Sequence, residues 1–132
     1  MKKVQIVEKI LDANDQLAAQ NRSALDQAGV FSINLMASPG AGKTSLILET
    51  IRRLQGEMQI GVIEGDTAPV TIDSDKVVAA GMRAVQINTG GDCHLDANML
   101  RDGLKAMDLD KIDLLIVENV GNLICPAAFQ LG

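Results

Sequence analysis

The residues best suited to chemistry begin with Ala37-Ser38-Pro39-Gly40-Ala41-Gly42-Lys43-Thr44. An apolar run, Val30 to Met36, precedes them, and Ser45 to Ile51 follows with helical patterning. Strand, small-residue loop, Gly-Lys-Thr and helix together make a phosphate-binding loop. Gly40 and Gly42 let successive backbone N–H groups point into one concavity. The helix N-terminus adds partial positive charge at the same place. Gly40, Ala41, Gly42, Lys43, Thr44 and Ser45 are the expected phosphate contacts. Lys43 is a point charge for the β- and γ-phosphates, and the Thr44 hydroxyl can reach Mg²⁺. The first glycine of the pattern is replaced by Ala37, which is still small.

Such a site also needs an acid to hold Mg²⁺, directly or through water. Asp66 follows the second apolar run and Glu118 ends the fourth, so both are candidates, with Lys43, for the catalytic set. Asp73 is weaker, because it could simply start a helix. Most acids are solvated loop residues; an apolar strand running straight into Glu118 is harder to explain that way.

The chain has one histidine, His94, and it adjoins one of only two cysteines, Cys93. Cys125 lies after the next strand. Thiolate and imidazole suit Zn²⁺, Ni²⁺ or Cu. A fourth ligand could be water, Asp92 or a group from a second subunit on a two-fold axis. On composition alone, two cysteines packed as small hydrophobes and a surface histidine are the stronger reading.

The elements that must position these groups alternate in type. A helix is expected over about 4–28, with Val4, Val7, Leu11, Ala18 and Leu25 on one face and Gly29 as its stop. Strands are expected at Val30–Met36, Gln59–Glu64, Met82–Asn88 and Ile112–Val117. Helices fall between them: one to about Leu54, a short one at Asp73–Ala80, and one capped by Asp96 running to about Met107. This pattern predicts an α/β fold of the P-loop NTPase kind. Its mostly parallel, doubly wound sheet would have about four strands and flanking helices, as a single, partial domain over 1–132. Ligands of such sheets bind beyond the C-terminal strand ends, where every motif above falls. Aromatics make up 2% of 132 residues, so Val, Ile, Leu, Met and Ala must build the core. A net charge of −5 argues against nucleic acid or an anionic membrane as the main partner. No run reaches membrane-spanning length and no leader is evident, so the cytoplasm is expected.

These stretches resemble the hydrogenase nickel-incorporation GTPase family, HypB, over nearly the whole chain. The similarity rests on the phosphate loop, Glu64-Gly65-Asp66, Gln86 to Gly90, Cys93-His94-Leu95-Asp96-Ala97, and Glu118-Asn119-Val120-Gly121-Asn122-Leu123-Ile124-Cys125-Pro126. It implies a GTPase that helps deliver nickel to the large subunit of [NiFe]-hydrogenase, with GTP and Mg²⁺ as ligands. It implies a Ni²⁺ or Zn²⁺ site of Cys93, His94 and Cys125, and a GTP-promoted homodimer. The implied partners are the nickel metallochaperone HypA and, in some bacteria, the prolyl isomerase SlyD. Loops after strands two and four would be switches, with Cys125 just past one of them.

Two departures stand out. The N-terminal cysteine motif or histidine-rich segment of some family members is missing. So is the guanine-reading Asn-Lys-x-Asp motif: Asp110-Lys111-Ile112-Asp113 precedes a strand and reads as an exposed turn. The expectation is therefore a C-terminally truncated form with an open sheet edge. Rival readings are a urease- or cobalamin-mutase-type chaperone GTPase, a small-molecule kinase, and a metal-binding or dimerisation module with a vestigial nucleotide site.

Overall fold

The computed structural model describes residues 6–37, 42–54, 56–66, 83–90, 94–121, 126 and 129–132. Helix α1 (Ile6–Ala28) leads into β1 (Phe31–Leu35), α2 (Lys43–Leu54), β2 (Ile60–Asp66), β3 (Arg83–Asn88), α3 (Ala97–Ala106) and β4 (Leu114–Glu118). The expected helix at Asp73–Ala80 lies outside the described residues.

The four strands form one parallel sheet in the order β1-β4-β2-β3. Helices cover both faces, as expected for a doubly wound sheet. Ile47 and Ile51 of α2 pack on Ile60, Val62, Leu114 and Ile116. Leu25 of α1 and Leu100 and Leu104 of α3 pack on Ile63, Leu115 and Val117 of the other face. The alternation of side chains along each strand separates the two clusters. Strand β4 is central and all five of its residues are buried. Strand β1 is an edge among the described residues, with Phe31 66% and Ile33 42% exposed. That matches the expected open edge.

Two strand boundaries differ from expectation. Strand β2 runs on through Gly65 and Asp66, because the ladder with β3 continues to Gly65↔Ile87 and Asp66↔Asn88. Gly65 and Asp66 thus extend the strand expected to stop at Glu64, and Asp66 ends β2 instead of following it. Strand β4 starts at Leu114, not Ile112. A 3₁₀ turn at Leu109–Lys111 occupies the preceding residues. The Asp110-Lys111 text therefore does belong to a turn entering the strand.

Helix α1 ends as its glycine requires. Gly29 sits at φ 71°, its N–H donates to Asp26, and the Val30 N–H donates to Leu25. This pair of bonds satisfies two end carbonyls, and the left-handed residue carries no Cβ penalty. In α2, Arg52 and Arg53 lie in the last turn, where cations complement the helix dipole. Hydrogen bonds from Arg52, then Arg53, hold the solvent-facing Glu49 carboxyl at about 2, below its ordinary 4.5. The sign is that of a depressed acid. Its support for the helix is present above the ordinary value and is lost as pH falls toward about 2.

The buried face of α1 is not purely apolar. Leu11, Asn14, Ala18, Asn21 and Leu25 form one stripe, and the two asparagines are 6% and 3% exposed. The apolar spacing located the stripe but left its polar members out. Asn14 Oδ1 accepts from the Ala97 N–H at 2.7 Å, and its Nδ2 donates to the Gln130 carbonyl at 2.7 Å. Asn21 Nδ2 donates to the carbonyls of Ala97 and Leu131, both at 2.9 Å. Helix α1 thereby holds both the start of α3 and residues 130–131 by their backbones. Asn21→Ala removes the donor to two buried carbonyls and is expected to destabilise the fold by about 1–3 kcal/mol. Urea denaturation checks this; an unchanged midpoint would contradict the brace.

Candidate nucleotide and metal site

The C-terminal ends of β1, β4 and β2 lie side by side, with Leu35 opposite Glu118 and Glu118 opposite Glu64. Beyond β1 the chain enters the phosphate loop, of which Gly40 and Ala41 lie outside the described residues. Gly42 closes it at φ 92°, in open space, so conformation rather than crowding calls for glycine there. Its carbonyl accepts the first α2 bond, from the Leu46 N–H at 2.9 Å. The Lys43 side chain reaches back to the residues just after β1, where its Nζ donates to the Ala37 carbonyl at 3.4 Å. Ser45, one residue after Thr44, is exposed in the first turn of α2.

Thr44 and Glu118, far apart in sequence, meet here. The Thr44 hydroxyl donates to Glu118 Oε1 at 3.4 Å. Glu118 is 7% exposed and Glu64, on the neighbouring strand, 4%. Both acids fall on the sheet face that α2 covers, in phase with Ile60, Val62, Leu114 and Ile116. Sequence reasoning passed over Glu64 as a site residue. Its signal was available: it continues the inward phase of Ile60 and Val62 yet is an acid. Asp66 lies at the end of β2, opposite Asn88. Adjacent buried carboxylates repel each other, and a hard divalent cation relieves that repulsion while accepting hydroxyl and carboxylate ligands. The donor set therefore fits Mg²⁺. Asp73 lies outside the described residues.

The second constellation is placed in part. Cys93 and Cys125 lie outside the described residues, whereas His94 sits on a half-buried bend just before Leu95. Its ring stacks on Phe129, with centroids 4.0 Å apart and an interplanar angle of 11°. The stack uses the imidazole face and leaves the direction of the ring nitrogens, in the plane, to other partners. Phe129 follows β4 and the 126 turn, so the loop after β3 and the segment after β4 do converge. Among the described residues no group of three metal-ligating side chains is assembled.

Leu95 is the joint between these two regions. It is fully buried, and its side chain fills the space over Gly65. A Cβ at Gly65 would lie 2.6–2.8 Å from three Leu95 side-chain carbons. The strand end of β2 is thus fitted to the residue beside His94. Gly65→Ala is expected to displace Leu95 and to cost about 1–3 kcal/mol. In the folded variant the His94 imidazole resonances should shift in NMR spectra; unchanged resonances would show that Leu95 moves without His94.

Comparison with known proteins agrees with this geometry. The profile for the CobW/HypB/UreG nucleotide-binding domain matches residues 31–131. The hydrogenase maturation factor HypB of Rhizobium leguminosarum bv. viciae is 46% identical over 129 residues, covering 98% of this chain and 43% of that protein. A probable HypB of Methanocaldococcus jannaschii is 44% identical, covering 96% of this chain and 57% of the relative. Among solved structures, HypB from Archaeoglobus fulgidus superposes with a TM-score of 0.83 at 45% identity, over 92% of this chain and 59% of that one. HypB from Helicobacter pylori in complex with nickel gives 0.83 at 38% identity, over 91% and 56%. The chain thus spans about half the length of these relatives. No helix among the described residues is long and apolar enough to cross a membrane.

Proposed function

This chain belongs to the CobW/HypB/UreG nucleotide-binding domain family, and from that premise we propose that it is the phosphate- and cation-binding part of a GTP-hydrolysing nickel metallochaperone. The process served is nickel insertion into [NiFe]-hydrogenase. The observation that carries the reading is the Thr44 hydroxyl set against buried Glu118 at the end of the central strand. Lys43, the loop amides of Gly40, Ala41 and Gly42, and Ser45 hold the phosphates. Thr44, Asp66 and Glu118 would hold Mg²⁺, with Glu64 beside Glu118 on the neighbouring strand. The cation supplies neutralisation of charge on the β- and γ-phosphate oxygens.

Hydrolysis then needs little covalent work from the protein. Water attacks the γ-phosphorus, its bond to the bridging oxygen breaks, and GDP and inorganic phosphate leave. Lys43 and the loop N–H groups stabilise charge that develops in the transition state. Cys93, His94 and Cys125 form the Ni²⁺ or Zn²⁺ site. His94 is the member whose surroundings favour this, since Phe129 orients its ring from one face. The Helicobacter relative whose structure contains nickel supports the choice of metal. By resemblance, GTP promotes a homodimer, and HypA, the hydrogenase large subunit and, in some bacteria, SlyD are its partners.

Calorimetry with Mg·GTP and Mg·ATP on the folded chain tests the nucleotide half. Binding is expected, and Lys43→Ala should weaken it at least about tenfold, because the γ-phosphate loses its cation. A folded chain that binds neither nucleotide, or a Lys43→Ala variant that binds both as before, would refute the phosphate site. Ni²⁺ titration tests the other half. His94→Ala and Cys125→Ser should each weaken binding about tenfold or more, and undiminished affinity in both would remove these residues from the metal site.

A further inference from the structure

The two proposed sites are joined by one buried amide. Asn119 follows Glu118 directly, is 1% exposed, and has four hydrogen bonds. Its backbone N–H donates to the Leu35 carbonyl at 3.0 Å, which ties it to the strand entering the phosphate loop. Its Nδ2 donates to Asn34 Oδ1 on the same strand at 3.2 Å. Its Oδ1 accepts from the Leu95 N–H at 3.0 Å and from the Val120 N–H at 2.9 Å. Leu95 is next to His94, and Val120 opens the segment that leads to Cys125.

We infer that Asn119 is the positioning residue that couples the nucleotide site to the metal site. This rests on the proposed function of both sites and adds the device that links them. The geometry supplies two independent connections to the His94 loop. One is the Asn119 Oδ1 bond to the Leu95 N–H. The other is the Leu95 side chain seated on Gly65, between Glu64 and Asp66. A change in how Glu118 meets Thr44, as cation and γ-phosphate come and go, moves the residue bonded to it in sequence. Asn119 cannot shift relative to the His94 loop without lengthening its bond to Leu95, while Val120, its neighbour in sequence, moves with it. Both groups that donate to its Oδ1 are backbone N–H groups, and Leu95 is fully buried. At Leu95 no water replaces the lost bond, so its backbone must follow or remain unpaired, at the cost of a buried unsatisfied donor. The amide is suited to this post because it donates to one strand and accepts from two loop residues at once. A hydrophobic residue of the same volume would pack there but transmit nothing.

The test separates coupling from bracing. Ni²⁺ affinity is measured in the presence of Mg·GDP and of Mg²⁺ with a non-hydrolysable GTP analogue. In the wild-type chain the two affinities should differ on the order of tenfold, and by linkage Ni²⁺ should alter the nucleotide preference by the same factor. In Asn119→Ala the ratio should fall to within about twofold. A residue that only braces the fold would weaken Ni²⁺ binding equally in both nucleotide states; a retained ratio therefore overturns the inference. A second measurement needs no variant. The Leu95 and Val120 amide resonances of the wild-type chain should shift when Mg·GDP is exchanged for the Mg²⁺-bound analogue, and stationary resonances would overturn the inference even if Asn119→Ala fails to fold. If Ni²⁺ and nucleotide both bind but the wild-type ratio is one, coupling alone is refuted. If either fails to bind to the folded wild-type chain, the inference and the function beneath it are both overturned.

Discussion

Strand β4 is enclosed on every side. β1 and β2 pair with its two edges, α2 covers one face, and α1 with α3 covers the other. Every residue from Leu114 to Val117 must therefore be apolar, since no water reaches it and its backbone groups are spent on the ladders. That enclosure ends in Glu118. An acid in such a place is costly to bury without a partner, and Thr44, carried in on the helix that covers this face, is one such partner. The site is thus the point where the best-buried strand of the fold stops being apolar.

The same end of the sheet explains why the residues of the two proposed sites lie close together. Parallel strands bring all their C-terminal ends to one edge. Loops after β1, β4, β2 and β3 then share that edge whatever their order in sequence. The phosphate loop follows β1, the acids end β2 and β4, and His94 follows β3. Leu95 and Asn119 fill the space between these strand ends with one apolar and one polar contact. Packing and the proposed metal site meet here: Gly65 is small because Leu95 packs on it, and Leu95 packs there beside His94.

Helix α1 contributes in a different way. It donates no group to either proposed site. Its two buried asparagines hold Ala97, the first residue of α3, and the carbonyls of Gln130 and Leu131. The polar contacts specify position as well as burial, because an amide fits only where a carbonyl or N–H meets it. The residues on both sides of the His94 stack, Ala97 in one segment and Gln130 in the other, are thereby held to one rigid helix.

Much of this was legible in the sequence. Alternating apolar runs and helical stripes gave four parallel strands in a doubly wound sheet, because burial on two faces demands continuous Val, Ile and Leu. Gly29 and Asp96 marked helix ends through chemistry local to the chain: a left-handed residue and a side-chain cap, the latter seen as the Asp96 bond to the Met99 N–H. Lys43, Thr44, Glu118 and His94 were named from residue type and spacing alone. The structure alone decided how far β2 ran, since Gly65 and Asp66 became strand only by pairing with Ile87 and Asn88. It also brought out Glu64, Asn14, Asn21 and Asn119. Propensity treats an acid or amide as a surface or turn residue, and only the partners that arrive from distant segments make its burial favourable. Local patterning thus determined which elements form, while long-range hydrogen bonds and side-chain fit decided which polar groups they enclose.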